Sequence, residues 1–279
     1  MKSSRRQFLL LSGAGVLASS LPGISSFANA VSTDLSKFTF DLGIASYSLR
    51  KFSLEDTLKM TKRLGISKIS FKDYHLPLDA SDELIASTIA KCEALGITAY
   101  SGGVIYMKTK TEVDNAFEYA KKAKMKMIIG VPEHELLNYV EKKVQDYNIK
   151  LAIHNHGPGD KTYPSAESAY VLIKNMDPRM GLCIDIGHTK RINRDPEQDM
   201  LDFFDRVFDF HVKDVTSNDA KGTCCVMDRG VINIPSFLKA LAKKKYSGTL
   251  SLEYEVEADD PLAGMAETFG YMRGILSTM

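Results

Sequence analysis

The feature that most constrains this chain is a regular alternation of short apolar runs with longer segments of helical period. It begins at Phe40 and continues to the last residue. The candidate strands are Asp41–Ser46, Lys68–Lys72, Thr98–Gly102, Met125–Gly130, Lys150–His154, Gly181–Asp185, Phe208–Lys213 and Thr249–Glu253. The candidate helices are Ser53–Leu64, Ser81–Leu95, Thr111–Ala123, Pro132–Tyr147, Ser165–Asn175, Pro196–Asp205, Ile234–Lys244 and Leu262–Ser277. Eight βα units in about 250 residues predict an α/β fold, a single (β/α)8 TIM barrel.

Local signals mark the ends of several of these helices. Ser53, Ser81, Thr111 and Ser165 are candidate N-caps, and glycines follow the first two helices. An open, doubly wound sheet would also alternate strands and helices. The first strand, however, continues as Gly43–Ser48 without a glycine-rich dinucleotide fingerprint, which favours the barrel.

The first thirty residues have the pattern of an export signal. Ser4–Leu9 contains a twin-arginine pair, an apolar stretch runs from Leu9 to Phe27, and Ala28–Ala30 is a small-x-small cleavage site. A membrane anchor is the alternative, but glycines and a proline interrupt the apolar stretch. We therefore predict a signal peptide at 1–30, a barrel domain at 31–279, and export by the twin-arginine route to the periplasm.

Charge is distributed unevenly between the signal and the rest of the chain. The chain has 36 Lys and Arg against 35 Asp and Glu, and three of the bases, Lys2, Arg5 and Arg6, lie in the first thirty residues. The remainder carries 33 bases and 35 acids, a net charge of −2. This weakly acidic body argues against binding to nucleic acid or anionic lipid.

Histidines are concentrated where the predicted strands end. Five of the six lie at or just beyond a strand C-terminus: His75, His154, His156, His188 and His211. In a (β/α)8 barrel this is the face where side chains from different strands converge on the active site.

Acidic residues end two of the same strands, Asp185 the sixth and Glu253 the eighth. His154, Asp185 and His211 follow one another at one βα unit each, and Glu253 lies one longer unit beyond. Imidazole and carboxylate donors without a thiolate predict one divalent ion, Mn²⁺, Zn²⁺ or Co²⁺. His154 and His156 both remain candidates on strand five, and we prefer Glu253 to Glu255 on strand eight.

Four motifs around these residues resemble the xylose-isomerase-like TIM-barrel superfamily, which includes sugar phosphate isomerases and epimerases. They are Leu151–Gly157, Cys183–His188, His211–Asp214 and Leu252–Glu255, and the resemblance covers Phe40–Met279. Members similar to this pattern bind one divalent metal through Glu, Asp, His and Glu on strands five to eight.

Carried over by position, the resemblance implies Asp185, His211 and Glu253 as ligands. His154 stands where many members have the strand-five Glu, which removes one negative charge and one candidate base. His188 matches a family histidine that usually touches substrate.

The chemistry expected of such a site is proton abstraction next to a sugar carbonyl. The candidate catalytic residues are His154, His156, Lys213 and Glu253. Reprotonation gives an isomer or an epimer. If a leaving group lies β to the carbonyl, the enzyme instead cleaves it, as for a 3-keto-glycoside, and we keep this lyase or hydrolase as the alternative. Residues expected to bind substrate are Lys72, His75, His188 and Arg229, with Tyr47 also near the rim.

The segment Thr216–Ile232 is long for a βα loop and could close over the site. We expect a small carbohydrate substrate, no nucleic-acid partner and no stable membrane insertion. A keto substrate would call for a sugar oxidoreductase as functional partner, and a homo-oligomer is compatible with the sequence. Two alternatives come from other classes: a metal-free sugar-binding pseudoenzyme, and an abasic-site nuclease, which needs more metal ligands than this chain offers.

Overall fold

The computed structural model describes residues 35–279. The predicted signal peptide at 1–30 lies outside the described residues, so cleavage and export stay predictions.

Eight parallel strands form a closed barrel, which confirms the predicted fold class. Around the barrel each strand pairs with its neighbours in the sequence, and the last barrel strand closes against the first through Asp41–Ile44 and Thr249–Leu252. The barrel strands are β1 (Asp41–Ala45), β2 (Lys68–Phe71), β3 (Thr98–Met107), β4 (Met127–Pro132), β5 (Lys150–His154), β6 (Met180–Asp185), β7 (Val207–Val212) and β10 (Thr249–Leu252). Two short strands, β8 (Asp214–Val215) and β9 (Cys224–Cys225), form an antiparallel hairpin after β7.

Helices connect the strands on the outside of the barrel. They are α1 (Leu54–Arg63), α2 (Asp82–Ala94), α3 (Lys110–Lys122), α4 (Leu137–Tyr147), α5 (Ala166–Ile173), α6 (Ile186–Arg191), α7 (Pro196–Asp202), α8 (Ile234–Lys243) and α9 (Leu262–Ser277). Ser53, Ser81 and Ser165 cap α1, α2 and α5 as predicted. The N-cap of α3 is Thr109 rather than Thr111, because Thr109 forms a reciprocal capping box with Glu112.

Two departures from the predicted elements matter for the site. Strand β3 continues to Met107, five residues past its predicted end, because the chain resumes pairing with β4 after a register shift between Gly102 and Ile105. The short helix α6 was not predicted, and it begins directly after Asp185 at the end of β6. Both changes add side chains to the C-terminal face of the barrel.

A single apolar core lies between the barrel and its helices. The pair Phe210 and Phe237 is representative, since their rings meet edge to face with centroids 5.2 Å apart and join β7 to α8. Among residues 35–279, no helix is both long and apolar enough to cross a bilayer.

Candidate metal centre and active site

Four side chains from successive barrel strands meet at the C-terminal face. His154 ends β5, Asp185 ends β6, His211 lies in β7 and Glu253 follows β10. One ligand atom from each lies within 4.8 Å of the others, and all four residues are buried. Parallel register explains the convergence, because Asp185 pairs directly with His211 and His154 pairs with Cys183 in the adjoining strand.

The donor atoms of this cluster suit a cation. Over the described part of the chain, both ring nitrogens of His154 and both of His211 are buried without a hydrogen-bond partner. Buried polar atoms are normally satisfied, and a cluster that lacks partners calls for an explanation such as an ion. Two imidazoles and two carboxylates form the donor set that Mn²⁺, Zn²⁺ or Co²⁺ accepts. The residues therefore fit a single divalent metal.

The protonation states of His154 and Glu253 favour metal binding. Burial lowers the pKa of His154 to about 3, so its imidazole is neutral at physiological pH. Burial opposes the charge on Glu253, but Lys213 and His211 outweigh it and lower the pKa of this carboxyl well below its usual value. Neutral imidazole and ionised carboxylate are the ligating forms. Burial alone would lower the pKa of His211, but Cys183 and Glu253 raise it well above its ordinary value, so His211 must release a proton when an ion binds.

The structure distinguishes between the two strand-five histidines. His154 belongs to the four-residue cluster, whereas His156 lies above it, with the two rings in an edge contact at 4.6 Å. Cys183 forms a second, three-residue group with His154 and His211. Burial raises the pKa of the Cys183 thiol to about 12, so it stays protonated and is a poor ligand beside Asp185.

Lys213 neutralises the carboxylates of the cluster. Its Nζ lies 3.0 Å from Asp185 Oδ2 and 2.5 Å from Glu253 Oε2, and it also donates to Glu255. Burial alone would lower the pKa of Lys213, but these three carboxylates raise it well above its ordinary value. A lysine held in this state keeps its proton, so it positions Asp185 and Glu253 rather than acting as a base.

Two small features of the chain make this arrangement possible. A Cβ at Gly187 would lie 2.4 Å from Cγ of Lys213, so the absence of a side chain there leaves room for the lysine stem. The backbone N–H of Asp185 donates to Oδ1 of Asn155 at 2.9 Å, which fixes the end of β6 against the end of β5. Asn155 was not among the predicted site residues, because a buried amide after a strand carries no distinctive signal in one sequence.

A cavity of about 270 Å³, hereafter the reaction cavity, opens directly above the cluster. His154 and Glu253 form its floor, and its polar walls bring together several predicted residues. They are Tyr47, Lys72, His156, His188 and Glu255, with Tyr106 and Val104 added from β3. This volume and this mixture of donors and acceptors are suited to a small polyhydroxylated molecule.

Tyr106 is another residue of the site that the sequence analysis missed. Its hydroxyl lies 2.8 Å from Nε2 of His156, and the two rings stack with centroids 5.5 Å apart. Burial lowers the pKa of His156, so this imidazole is neutral and can exchange a proton. The sequence does carry a signal for Tyr106, because the apolar run Val104–Met107 after the two glycines extends β3 to the rim of the barrel.

Two predicted substrate-binding residues lie elsewhere, and these predictions are corrected. His75 is buried outside the reaction cavity, with Nδ1 3.0 Å from Ser46 Oγ and Nε2 2.9 Å from Thr57 Oγ1. It ties the loop after β2 to α1. Arg229 points to the outer surface, where it pairs with Glu267 of α9 at 2.5 Å.

Replacing His75 with alanine should therefore affect stability and leave catalysis unchanged. We expect a loss of about 2–3 kcal/mol in the free energy of unfolding, from a cavity and from the lost hydrogen bonds to the hydroxyls of Ser46 and Thr57. Urea unfolding measures this loss, and the exposed His134→Ala serves as control. Burial lowers the pKa of His75 below 6.5, so as pH falls through 6.5 the unfolded wild type takes up a proton more readily than the folded one and the wild type loses stability. The alanine variant lacks this effect, so the difference in unfolding free energy between the two proteins should narrow at pH 5. A fall in activity without a fall in stability would restore His75 to the site.

The long segment Thr216–Ile232 is held to the barrel by one carboxylate. Asp214 accepts backbone N–H groups from Asp228 at 3.1 Å, Gly230 at 3.0 Å and Ile232 at 3.2 Å. Its first part contains β9 and the turn that joins β9 to β8. Closure of this segment over the site stays a prediction.

Comparisons with known proteins agree with this geometry. Residues 134–275, about half of the chain, match the family model described as a xylose isomerase-like TIM barrel. An uncharacterized protein from Parabacteroides distasonis ATCC 8503 is 26% identical with a TM-score of 0.67, over 84% of this chain and 98% of that one. An IolI protein with a bound zinc atom is 15% identical with a TM-score of 0.73, over 86% and 99% of the two chains. An L-ribulose 3-epimerase is 14% identical with a TM-score of 0.68, over 86% and 95%. Among curated proteins no match is found.

Proposed function

The chain belongs to the xylose isomerase-like TIM-barrel family, and from this premise we propose that it is a divalent-metal-dependent sugar isomerase or epimerase. It would act by removing a proton from the carbon next to a sugar carbonyl. The observation that carries the proposal is the buried cluster of His154, Asp185, His211 and Glu253 beneath a polar cavity. The epimerase and the zinc-containing IolI protein of the same fold support both the reaction class and the metal.

His154, Asp185, His211 and Glu253 would hold the ion. When bound, a divalent cation supplies positive charge that stabilises the negative charge developing on the sugar oxygens. The neutral His154 in place of a carboxylate leaves the ligand set with two negative charges. Lys213 adds a positive charge beside them, and Glu255 shares that charge.

Residues of the reaction cavity would orient the sugar. Lys72 lies at the wall, where its Nζ donates to the carbonyl oxygen of Val104 at 2.6 Å and keeps further N–H groups for a hydroxyl. His188 lines the same space, and its backbone N–H is fixed by Asp185 Oδ1 at 2.8 Å. A sugar held by these groups presents its carbonyl to the floor of the cavity.

His156 is our candidate for the group that moves the proton. With the ring proton on Nε2, that N–H donates to Tyr106 Oη, whereas Nδ1 is buried 3.8 Å from Asp160 Oδ2. A substrate proton would therefore reach the imidazole through Tyr106 Oη, which requires the other tautomer. In the other tautomer Tyr106 donates to Nε2 and Nδ1 becomes a donor. Glu253 lies on the floor of the cavity and is ionised, so it offers a second acceptor on a different side.

The replacement of a family carboxylate by His154, together with the Tyr106–His156 pair, favours a second candidate, cleavage of a 3-keto-glycoside. Here a base takes the C2 proton, and the C–H electron pair forms the C1–C2 double bond. The C1–O bond breaks, and the departing oxygen accepts a proton from an acid such as Tyr106 or His156. The products are an unsaturated keto-sugar and the free aglycone, with no oxidant or reductant consumed. A sugar oxidoreductase would supply the 3-keto substrate.

Solvent isotope exchange tests the proposal directly. Purified protein loaded with Mn²⁺, Zn²⁺ or Co²⁺ is incubated in D2O with ketohexoses and with 3-keto-glycosides, and proton NMR follows the carbon next to the carbonyl. We expect deuterium at that carbon, lost on chelation and recovered on adding the metal back. The control Asp195→Asn, which alters a helix cap outside the site, should exchange normally.

The two candidates differ in their products. Deuterium at C2 of a 3-keto-glycoside without release of aglycone would exclude cleavage. The absence of exchange from every keto-sugar by the metal-loaded protein would contradict the proposed function.

A further inference from the structure

A second cavity adjoins the reaction cavity and leads away from the metal centre. It has a volume of about 200 Å³ and shares Lys72, Val104 and Tyr106 with the reaction cavity. These three residues therefore form a neck between the two spaces. Beyond the neck the wall consists mainly of apolar side chains, Phe71, Leu76, Leu78 and Ile105.

The second cavity continues into a third, of about 350 Å³, where the loop before α2 faces α3. Leu78, Ile105 and Tyr106 line both of them. We call the second and third cavities together the side groove. The reaction cavity alone lies at the low end of the range for ligand sites, roughly 300–1,000 Å³, so the groove makes room for a substrate larger than one small sugar.

Large apolar side chains are left exposed along this path. Leu78 is 36% exposed and Tyr106 is 48% exposed, and both line the side groove. Tyr74 is 60% exposed and packs on Tyr47 at the wall of the reaction cavity, with ring centroids 6.0 Å apart. Exposed apolar groups that cluster beside a catalytic cavity are typical of a ligand-binding surface.

We propose that the substrate is a glycoside whose apolar, aromatic aglycone lies in the side groove while its sugar occupies the reaction cavity. This inference rests on the proposed function in its second form, cleavage of a 3-keto-glycoside, since it assumes a glycoside whose sugar lies above the metal centre. The groove is continuous with the reaction cavity through Lys72, Val104 and Tyr106, so a single molecule can extend from one into the other.

The chemistry of the walls selects an aromatic aglycone over a second sugar. Leu78, Val104 and Ile105 offer no side-chain hydrogen-bond groups, and a sugar against them would leave its hydroxyls unpaired. The polar groups lie at the neck, where the glycosidic oxygen would be, within reach of Lys72 and Tyr106. Beyond the neck, Asp73 is the one charged residue of the second cavity in the described part of the chain. Most of the charged side chains lie in the outer cavity: Asp79, Glu112, Glu118 and Lys122.

The test compares two probes that differ only in the aglycone, phenyl β-D-glucoside and methyl β-D-glucoside, by calorimetric titration of the full-length, zinc-loaded protein. Burial of one phenyl ring should make the phenyl glucoside bind at least about tenfold more tightly. Leu78→Asp places a charge in the groove and should remove this preference while leaving methyl glucoside binding unchanged. Leu78→Ser, which removes the apolar side chain without adding charge, should also reduce the preference for phenyl glucoside over methyl glucoside.

Leu172→Asp is the matched control, because Leu172 is exposed to a similar extent, 38%, on helix α5 away from the groove. It should retain the full preference. Equal binding of the two glucosides, a preference unaffected by both Leu78 variants, or tighter binding of cellobiose than of phenyl glucoside would overturn the inference. The two claims can fail separately. If the proposed function is wrong, metal-dependent isotope exchange will be absent, while the preference for phenyl glucoside and its sensitivity to Leu78 can still be observed.

Discussion

Replacing Asp185 with asparagine is expected to abolish metal binding and catalysis while preserving the fold. Loss of a group that merely orients a ligand already costs about 10–100-fold in metal affinity, so loss of a ligand carboxylate should cost at least about 100-fold. Activity in the isotope-exchange assay should fall by at least about 10²–10³-fold. Metal content after dialysis, measured by mass spectrometry, and exchange rate are read on the same sample.

The geometry makes this substitution unusually clean. Oδ1 of Asp185 accepts the backbone N–H of His188 and caps α6, and an asparagine oxygen can make the same bond. Asp195→Asn is the matched control, because Asp195 caps α7 in the same way but lies outside the cluster. Retention of one equivalent of metal by Asp185→Asn, with the control unaffected, would remove Asp185 from the ligand set.

Lys213→Met is expected to be the most destabilising change in the metal-free protein. It leaves the buried Asp185 and Glu253 and the half-buried Glu255 without their common cation. Removing one partner of a buried ion pair typically costs about 3–5 kcal/mol. Lys143→Met is the control, since its pair with Asp114 lies at the surface and should be worth no more than about 1 kcal/mol. Urea unfolding in the presence of a chelator measures both.

Divalent metal should partly rescue Lys213→Met. An ion bound at the cluster supplies the missing positive charge. We therefore expect Lys213→Met to bind metal at least about tenfold more tightly than the wild type does, equivalent to ~1.4 kcal/mol. A variant as unstable with saturating metal as without it would contradict this account of Lys213.

The deficit of this variant should also depend on pH. Burial tends to raise the pKa of Asp185, but His188 and Lys213 outweigh it and lower the pKa below its ordinary value. In the wild type this carboxylate therefore stabilises the fold above its unfolded pKa, and the contribution is lost as pH falls. Without Lys213, burial favours the protonated acid, so the deficit should be largest at neutral pH and should narrow toward pH 4.

The barrel could be predicted from the sequence because its signals are local and repeated. Each strand is a short apolar run, and serines such as Ser53 and Ser165 mark helix starts through hydrogen bonds to nearby backbone groups. The cluster followed from the same regularity, since residues that end parallel strands must share one face. His154 in the four-residue cluster and Asp185 beside it are consequences of this register.

The remaining features of the site depend on long-range contacts that cannot be recognised from a single sequence. Tyr106 was missed because β3 resumes after a register shift that only pairing with β4 explains. His75 was assigned to the rim by its position, yet Ser46 and Thr57, distant in the sequence, draw it into the structure beneath. Arg229 was near the site in sequence but turns outward to Glu267. Strand position therefore predicted the four-residue cluster better than loop position predicted which residues line the reaction cavity.

Anomalous diffraction from crystals of the protein grown with Zn²⁺, recorded on both sides of the zinc absorption edge, tests the central claim most directly. We expect one strong peak within bonding distance of His154, Asp185, His211 and Glu253, with Lys213 beside the ligands but not bound to the ion. A map without a peak in this cluster, or with its zinc held by other residues, would contradict the account.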